Sequence, residues 1–398
     1  MGRQTTNVLT HSGQPSLRHR LFKRPITTGL IGIIYGMQKI LSEEVQLHGC
    51  ENLYAQGELF PGPRLWVVKH ESFLDVVNFV PYWLNFPPRP DFRSAIRVLK
   101  KEEKVLRALD SLVLRHFTYH VNRTSMGESA SLEEQQRLRA ENEEHFEKTR
   151  DLYYKGVDAI IFPEGTTRTD GTIFPIKAGC YNLAKIEKRD GAIDVVTCVP
   201  IGLTYDLISG DQHWLFRKIH RNHAFVNIGK PFHYQPTERD DGETEMEYRL
   251  RDIKAFTNSV RDAFLTSNTI TVAQLAGEYL LRQAYAGDST GKSSEREVED
   301  AVSLRVDQLS QLPDITFDNL LLEKVSLTHR VEQFWKGLEL RGYRQGDDLN
   351  LGKFRHLPEM GKYKRENPLL YCVNRIRQVG AWREEIGDIL RQTYHQMH

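Results

Sequence analysis

Short runs of strand-forming apolar residues recur between positions 45 and 235, separated by longer charged or amphipathic stretches. A long charged helix is predicted between the second and third runs, because Ser131 and Glu134 have the spacing of a capping box. Strands interspersed with helices predict an α/β fold, with a mixed central β-sheet flanked by helices. The runs predicted as strands are RLWVVKH (64–70), FTYHVNR (117–123), VDAIIFPEG (157–165), DVVTCVPIGLTY (194–205) and HAFVNIGKPF (223–232).

From about residue 236 the pattern changes, and apolar residues recur at three- and four-residue spacing, which predicts helices. A loop rich in glycine and serine, residues 286–297, separates two of them. We therefore expect an α/β domain over 45–235 and a mostly helical C-terminal region over 236–398. The predicted helices cover residues 251–267, 271–286, 295–312, 317–340 and 382–394.

The N-terminal segment, residues 1–44, is basic and then apolar. An apolar run over 25–41 is interrupted by polar residues and is shorter than the roughly 20 residues that cross a bilayer. It is not followed by the small-residue cleavage site of a signal peptide. Two interpretations remain open: an amphipathic helix on an anionic membrane surface, or a core helix with a solvated basic start. The cations that precede the run are Arg18, Arg20, Lys23 and Arg24.

Charge and cysteine content exclude several classes of protein. The 54 lysines and arginines balance 53 aspartates and glutamates, so there is no global basic field of the kind that binds nucleic acid. The four cysteines are widely spaced, and their pattern predicts neither a zinc site nor a disulfide framework. We therefore expect no metal, and a reducing, cytoplasmic compartment.

A histidine and an aspartate lie where the first predicted strand turns into a helix. Five positions along one helix would place His70 and Asp75 about 140° apart, so they meet only if His70 precedes the first turn. The carboxylate would then fix one imidazole nitrogen and leave the other to take a proton from a hydroxyl. The alternative is a capping box formed by Ser72 and Asp75, in which case His70 stands at a strand end without a catalytic role.

Other polar residues also follow predicted strands. In IIFPEGTTRTDG (160–171) a glycine permits close approach of a ligand, and the hydroxyls and the arginine can donate hydrogen bonds to an oxyanion such as phosphate. A strand-to-loop turn with a surface ion pair is the alternative. Pro200 interrupts an apolar strand, which predicts a sheet edge or a bulge. The candidate substrate-binding residues are Arg123, Glu164, Gly165, Thr166, Thr167 and Arg168.

Taken in order, these features resemble the four motifs of the glycerophospholipid acyltransferase family, which acylates glycerol 3-phosphate and lysophosphatidic acid. HESFLD (70–75) is similar to its HxxxxD motif, and Arg123 to the arginine of its second. FPEGT (162–166) and VPI (199–201) are similar to the third and fourth. The resemblance covers roughly residues 45–235, and its first and third motifs are the specific ones.

The chain departs from the family pattern at two places. The family commonly has arginine directly after Glu-Gly-Thr, whereas here Thr167 intervenes before Arg168. Glu71 and Ser72 replace the commoner pair after the histidine. Both places lie where the family is thought to hold the phosphate of the acceptor, so the acceptor stays open. The segments 199–206 and 268–281 resemble the glycerol-3-phosphate branch.

The resemblance implies direct acyl transfer without a cofactor. His70, oriented by Asp75, would deprotonate the acceptor hydroxyl, which attacks the thioester of acyl-CoA or acyl carrier protein. The expected acceptors are a glycerol phosphate or a lysophospholipid. Because substrate and product are lipids, the resemblance also favours a peripheral location on the inner face of a membrane, with no nucleic-acid partner.

Three alternatives remain. The first is an acyltransferase of the same fold with a non-glycerol lipid or natural-product acceptor. The second is a lipid-binding protein without turnover. The third is a metal-dependent hydrolase that uses His70, Asp75 and Glu164, although no second histidine stands at ligand spacing near them. The role of the C-terminal region, including residues 351–377, is not predicted by the sequence.

Overall fold

The protein is described from a computed structural model. It describes residues 42–55, 58–59, 63–71, 95–97, 118–120, 131–153, 158–165, 170–173, 175–185, 195–206, 222–285, 293–311, 315–340, 342–345, 348–359 and 366–376, with the single positions 32, 35–36, 38–39, 75 and 78–79.

An eight-stranded mixed sheet forms the centre of the fold, in the order β1-β7-β6-β2-β5-β3-β4, with β8 also paired to β6. The pairs β2–β5, β2–β6, β3–β5, β3–β4 and β1–β7 are parallel, whereas β7 and β8 run antiparallel to β6. The strands are β1 (Ser42–His48), β2 (Arg64–Val68), β3 (Ala95–Arg97), β4 (Thr118–His120), β5 (Ala159–Ile161), β6 (Thr197–Tyr205), β7 (Asn222–Ile228) and β8 (Phe232–His233).

Helices follow and surround this sheet. Capping boxes of Thr244 with Glu247 and Ser294 with Glu297 begin α3 and α5. The helices are α1 (Leu132–Tyr153), α2 (Gly179–Ala184), α3 (Glu245–Thr266), α4 (Val272–Tyr285), α5 (Glu295–Leu309), α6 (Lys324–Leu340) and α7 (Pro368–Ile376). Short 3-10 helices span Cys50–Leu53, Asn319–Leu322 and Leu351–Arg355, and two-residue strands pair at Tyr54–Ala55 with Glu58–Leu59, Thr269–Ile270 with Thr316–Phe317, and Arg344–Gln345 with Asp348–Leu349.

The strand β2 is buried on both faces because its side chains alternate between two apolar cores. Leu65 and Val67 pack with residues of α1, α2 and α3 on one face of the sheet. Trp66 and Val68 pack on the other face with residues of β6 and β7. A third core lies among α4, α5, α6 and α7. The predicted α/β class, a mixed sheet flanked by helices with a helical C-terminal region, is thus confirmed.

Each of the five predicted runs contains strand residues, and the run over 223–232 corresponds to two strands, β7 and β8. The strands β1 and β3 were not predicted. The amide of Glu134 donates to the hydroxyl of Ser131 at 3.2 Å, as the capping box at the start of α1 requires. The basic residues 18–24 and the helix predicted over 382–394 lie outside the described residues. The division at 44 and 235 stays a prediction.

Of the two alternatives predicted from Pro200, a sheet edge or a bulge, the sheet edge was wrong. β6 lies inside the sheet rather than at its edge, and all nine of its residues are buried. On one side it pairs with β2, and on the other side residues 197–198 pair with β8 and residues 201–205 with β7. The proline stands where β6 changes from one antiparallel partner to the next. Proline has no backbone N–H to donate to a neighbouring strand, so it is tolerated at a position where one ladder ends and the next begins.

Candidate functional site

The candidate site lies at the carboxyl ends of β2, β5 and β6. These strands are parallel, so their carboxyl ends meet at one edge of the sheet. His70 follows β2 by two residues, and Glu164 follows β5 by three. β6 continues four residues beyond its pairing with Val68 and carries Tyr205 at its end.

His70 and Asp75 are in contact, as their spacing predicted. Nδ1 of His70 lies 2.8 Å from Oδ2 of Asp75. The His70 side chain is 26% exposed, whereas that of Asp75 is fully buried. An ionised carboxylate can only accept hydrogen bonds, so the imidazole carries its proton on Nδ1. Nε2 is then the basic nitrogen, and the partial exposure of the ring allows a ligand to approach it.

Both oxygens of Asp75 are held by donors. Oδ2 accepts from the backbone amide of Glu71 at 2.7 Å, in addition to its contact with His70. Oδ1 accepts from the hydroxyl of Tyr205 at 2.7 Å. Burial and the neighbouring Asp75 charge raise the pKa of Tyr205 well above its ordinary value, so this hydroxyl stays a donor. Three donors on a buried carboxylate fix its orientation.

Glu164 was predicted to bind substrate, and the structure gives it a further contact. Its carboxylate is buried, and Oε1 accepts from the backbone amide of His70 at 2.9 Å. The turn after β5 closes with a hydrogen bond from the Gly165 amide to the Phe162 carbonyl at 3.0 Å, and Gly165 has a φ of 67°. The Phe162 ring lies 5.0 Å from that of His70. This turn therefore supports the histidine from one side.

Four predicted substrate-binding residues cannot be placed against this geometry. They lie outside the described residues and stay predictions: Arg123, Thr166, Thr167 and Arg168.

Sequence reasoning missed the residues that surround Glu71. Its Oε1 lies 2.5 Å from Nζ of Lys69, and its Oε2 accepts from the hydroxyl of Tyr371 at 3.0 Å. Nε of Arg375 lies 3.4 Å from the same Oε2. The available signal was a tyrosine and an arginine four residues apart in the largely apolar PLLYCVNRI of α7. A buried carboxylate is the partner that such residues require.

Nowhere in the described ranges does a group of three or more histidine, cysteine, aspartate or glutamate side chains lie in a position to hold a metal ion. Across the same part of the chain, no helix combines the length and the apolar character that a membrane crossing needs.

Comparisons with known proteins find a likeness among solved structures. No protein-family model matches the chain, and no curated protein matches it. Among solved structures, it is similar to the 1-acyl-sn-glycerophosphate (LPA) acyltransferase PlsC from Thermotoga maritima, with 16% identity and a TM-score of 0.32. The alignment covers 62% of this chain and 85% of that one. At this level of similarity neither the activity nor the substrate of that enzyme transfers to this chain.

Proposed function

We propose that this protein is an acyltransferase that moves a fatty acyl group from acyl-CoA or acyl carrier protein to a hydroxyl of glycerol 3-phosphate or lysophosphatidic acid. The observation that carries the proposal is the contact between His70 and a buried Asp75 whose two oxygens are held by donors. This contact occurs within a sequence motif, HESFLD, that resembles the HxxxxD motif of glycerophospholipid acyltransferases.

In the proposed reaction His70 acts as a general base. Nε2 takes the proton of the acceptor hydroxyl while the hydroxyl oxygen attacks the thioester carbonyl carbon. The carbon–sulfur bond of the tetrahedral intermediate then breaks, and the leaving thiolate takes the proton from the imidazolium. The products are the new ester and a free thiol. No residue of the protein becomes acylated, so Ser72 is not a nucleophile in this mechanism.

Asp75 stabilises the imidazolium that forms during this step. Its carboxylate faces Nδ1, so it lies beside the positive charge as the proton arrives on Nε2. Because Tyr205 and the Glu71 amide already hold the carboxylate, it does not have to reorient during the reaction. A base positioned in this way contributes about 10²- to 10⁴-fold to the rate.

The anionic headgroup of the acceptor would be bound beside this base. We assign that role to Arg123, Thr166, Thr167 and Arg168, following the motif resemblance, since guanidinium and hydroxyl groups bind phosphate. Glu164 contributes to the same site by holding the His70 backbone. We also place the protein peripherally on the inner face of a membrane, through the basic segment 18–24, since its lipid substrates reside there.

The experiment that tests the proposal measures thiol release from palmitoyl-CoA, and in parallel from palmitoyl acyl carrier protein. Separate reactions contain glycerol 3-phosphate, lysophosphatidic acid or neither. We expect release that depends on one acceptor, and a rate lower by about 10²- to 10⁴-fold in His70→Ala. The matched control is His329→Ala, because His329 is an exposed histidine on α6, with 62% of its side chain accessible.

Three outcomes would contradict the proposal. Release that is equal with and without acceptor would indicate a thioesterase. Full activity in His70→Ala would show that His70 is not the general base. The absence of acceptor-dependent release with either donor would favour a non-glycerol acceptor or a lipid-binding protein without turnover.

A further inference from the structure

A buried arginine of α7 contacts two different parts of the candidate site. Nη1 of Arg375 donates to the backbone carbonyl of Tyr205 at 3.0 Å, and Nη2 donates to the carbonyl of Leu203 at 3.3 Å. Nε of the same guanidinium faces the Glu71 carboxylate at 3.4 Å. Only 1% of the Arg375 side chain is exposed. One rigid, planar group therefore spans the end of β6 and the turn that follows β2.

Tyr371 lies one helical turn before Arg375 and reaches the same carboxylate. Its hydroxyl donates to Oε2 of Glu71, while Lys69 pairs with Oε1. Burial and the Glu71 charge raise the pKa of Tyr371 well above its ordinary value, which keeps this hydroxyl protonated. Glu71 itself is 5% exposed, so its side chain is occupied inside the protein and is not presented to an acceptor.

The two parts that Arg375 contacts are the two supports of Asp75. The Glu71 backbone amide donates to Oδ2 of Asp75, and the Tyr205 hydroxyl donates to Oδ1. The guanidinium forms an ion pair with the side chain of Glu71 and donates a hydrogen bond to the backbone carbonyl of Tyr205. Moving either support would move the carboxylate that fixes the His70 ring.

The same helix also contacts the loop beyond Glu164. The Asn374 side-chain amide donates to the Asp170 carbonyl at 2.8 Å. Gly171 lies so close to the helix that a Cβ there would stand 2.1 Å from the carbonyl oxygen of Tyr371. The helix α7 thus contacts the segments that follow β2 and β5 and the end of β6 itself, and these are the strands whose ends form the site.

We propose that Arg375, assisted by Tyr371, is a positioning residue that holds Asp75 in place through Glu71 and Tyr205 and so keeps the His70 proton on Nδ1. The expected loss of acyl-transfer activity rests on the proposed function, whereas the expected change in the His70 tautomer does not. An imidazole without a partner carries its proton mainly on Nε2, where it cannot act as the base. Loosening Asp75 therefore shifts His70 toward the inactive tautomer.

The test compares wild type with Arg375→Gln by two measurements. Long-range ¹H–¹⁵N NMR of protein labelled with ¹⁵N-histidine reports which ring nitrogen of His70 is protonated, and the His70→Ala spectrum assigns the signal. The measurement is made at about pH 8.5, two units above the ordinary imidazole pKa. We expect Nδ1–H in wild type and a mixture of tautomers in the variant. In the thiol-release assay we expect a kcat about 10- to 100-fold lower, with KM values unchanged within about twofold.

Two further variants separate positioning from general stability. Arg64→Gln is the matched control, because Arg64 is a buried arginine paired with Asp158 at 3.0 Å, at the opposite end of β2. It should cost stability without altering the His70 tautomer or kcat. Arg375→Lys keeps the charge but loses the planar fork, so we expect a partial effect on both measurements.

Each outcome decides the proposal. An unchanged His70 tautomer in Arg375→Gln overturns it, and so does an equal tautomer shift in Arg64→Gln. If Arg375→Gln does not fold, the same measurement is made on Tyr371→Phe, which removes only one oxygen atom. An unchanged His70 tautomer in Tyr371→Phe then overturns the proposal. A tautomer shift in a protein without acyl transfer supports the positioning role and rejects the proposed function, so the two failures are distinguishable.

Discussion

Asp75 shows how a buried carboxylate is maintained in this protein. Moving an ion out of water is costly unless hydrogen bonds replace the lost hydration, and three donors surround this one. Only one of them, the His70 ring, takes part in the proposed reaction. The other two, the Glu71 amide and the Tyr205 hydroxyl, keep the carboxylate stable and oriented.

Tyr205→Phe should therefore reduce both stability and activity. A hydrogen bond to a charged group contributes about 1.5–3 kcal/mol, and we expect a loss of this size in the free energy of unfolding. We expect kcat to fall about 10-fold, because Asp75 loses the donor on Oδ1. Urea unfolding and the thiol-release assay measure the two effects.

Tyr153→Phe is the control for this prediction. Tyr153 is as fully buried as a tyrosine can be, yet among the described residues its hydroxyl has no hydrogen-bond partner. Removing that oxygen should leave kcat unchanged and stability equal or higher. Equal effects of the two substitutions would show that the Tyr205 hydroxyl has no special importance for the site.

At the scale of elements, the site depends on α7 closing against the ends of three strands. Gly171 permits this approach, since it has a φ of 83° and lies against the backbone of the helix at Tyr371. A residue with a side chain at this position would meet backbone atoms, which cannot move aside as a flexible side chain can.

Gly171→Ala should destabilise the protein by about 2–5 kcal/mol, from the left-handed backbone and the clash together. The control is Gly242→Ala, because Gly242 has a φ of 82° but no atoms within 4 Å of an added Cβ. It should cost only about 1–2 kcal/mol. Thermal unfolding of both variants gives the comparison, and equal losses would mean that the helix does not constrain Gly171.

The local elements of the site could be predicted from the sequence, but its long-range contacts could not. The apolar run of β2 and the spacing of His70 and Asp75 are local patterns, and the structure shows both. β1, with the sequence SEEVQLH, was missed because it is polar at most positions. Its polar side chains have partners far along the chain, since Gln46 donates to Asp318 at 2.8 Å.

The part played by α7 was beyond sequence reasoning for the same reason. Tyr371 and Glu71 are 300 residues apart, and no periodicity or spacing rule links positions at that distance. The residues at the strand ends could be predicted from local sequence patterns. The position of the helix that packs against them depends on the tertiary fold.

At the scale of the whole molecule, buried polar contacts join the sheet to the C-terminal helices. Arg330 of α6 pairs with Asp318 at 2.9 Å and donates to Glu44 of β1 at 2.7 Å. Its Nη1 also lies 2.6 Å from Nδ1 of His223 in β7. Unfolding either part alone would break these contacts, and breaking a buried ion pair costs several kcal/mol.

We therefore expect the α/β part and the helical part to unfold together. Differential scanning calorimetry should show one transition, with calorimetric and van't Hoff enthalpies in agreement. Arg330→Gln should lower the melting temperature without dividing the transition. Two separate transitions in wild type would show instead that residues 45–235 and 236–398 are independent domains.

The order of strands in the sheet has a consequence for how the chain is made. β1 leaves the ribosome well before its partner in the sheet, β7, which follows about 170 residues later. At 5–20 residues per second, that delay is roughly 10 to 35 s. During this interval Val45 and Leu47 have no strand to pair with, although both pack against the core in the finished protein. Newly made chains should therefore bind chaperones through this segment until β7 has been translated.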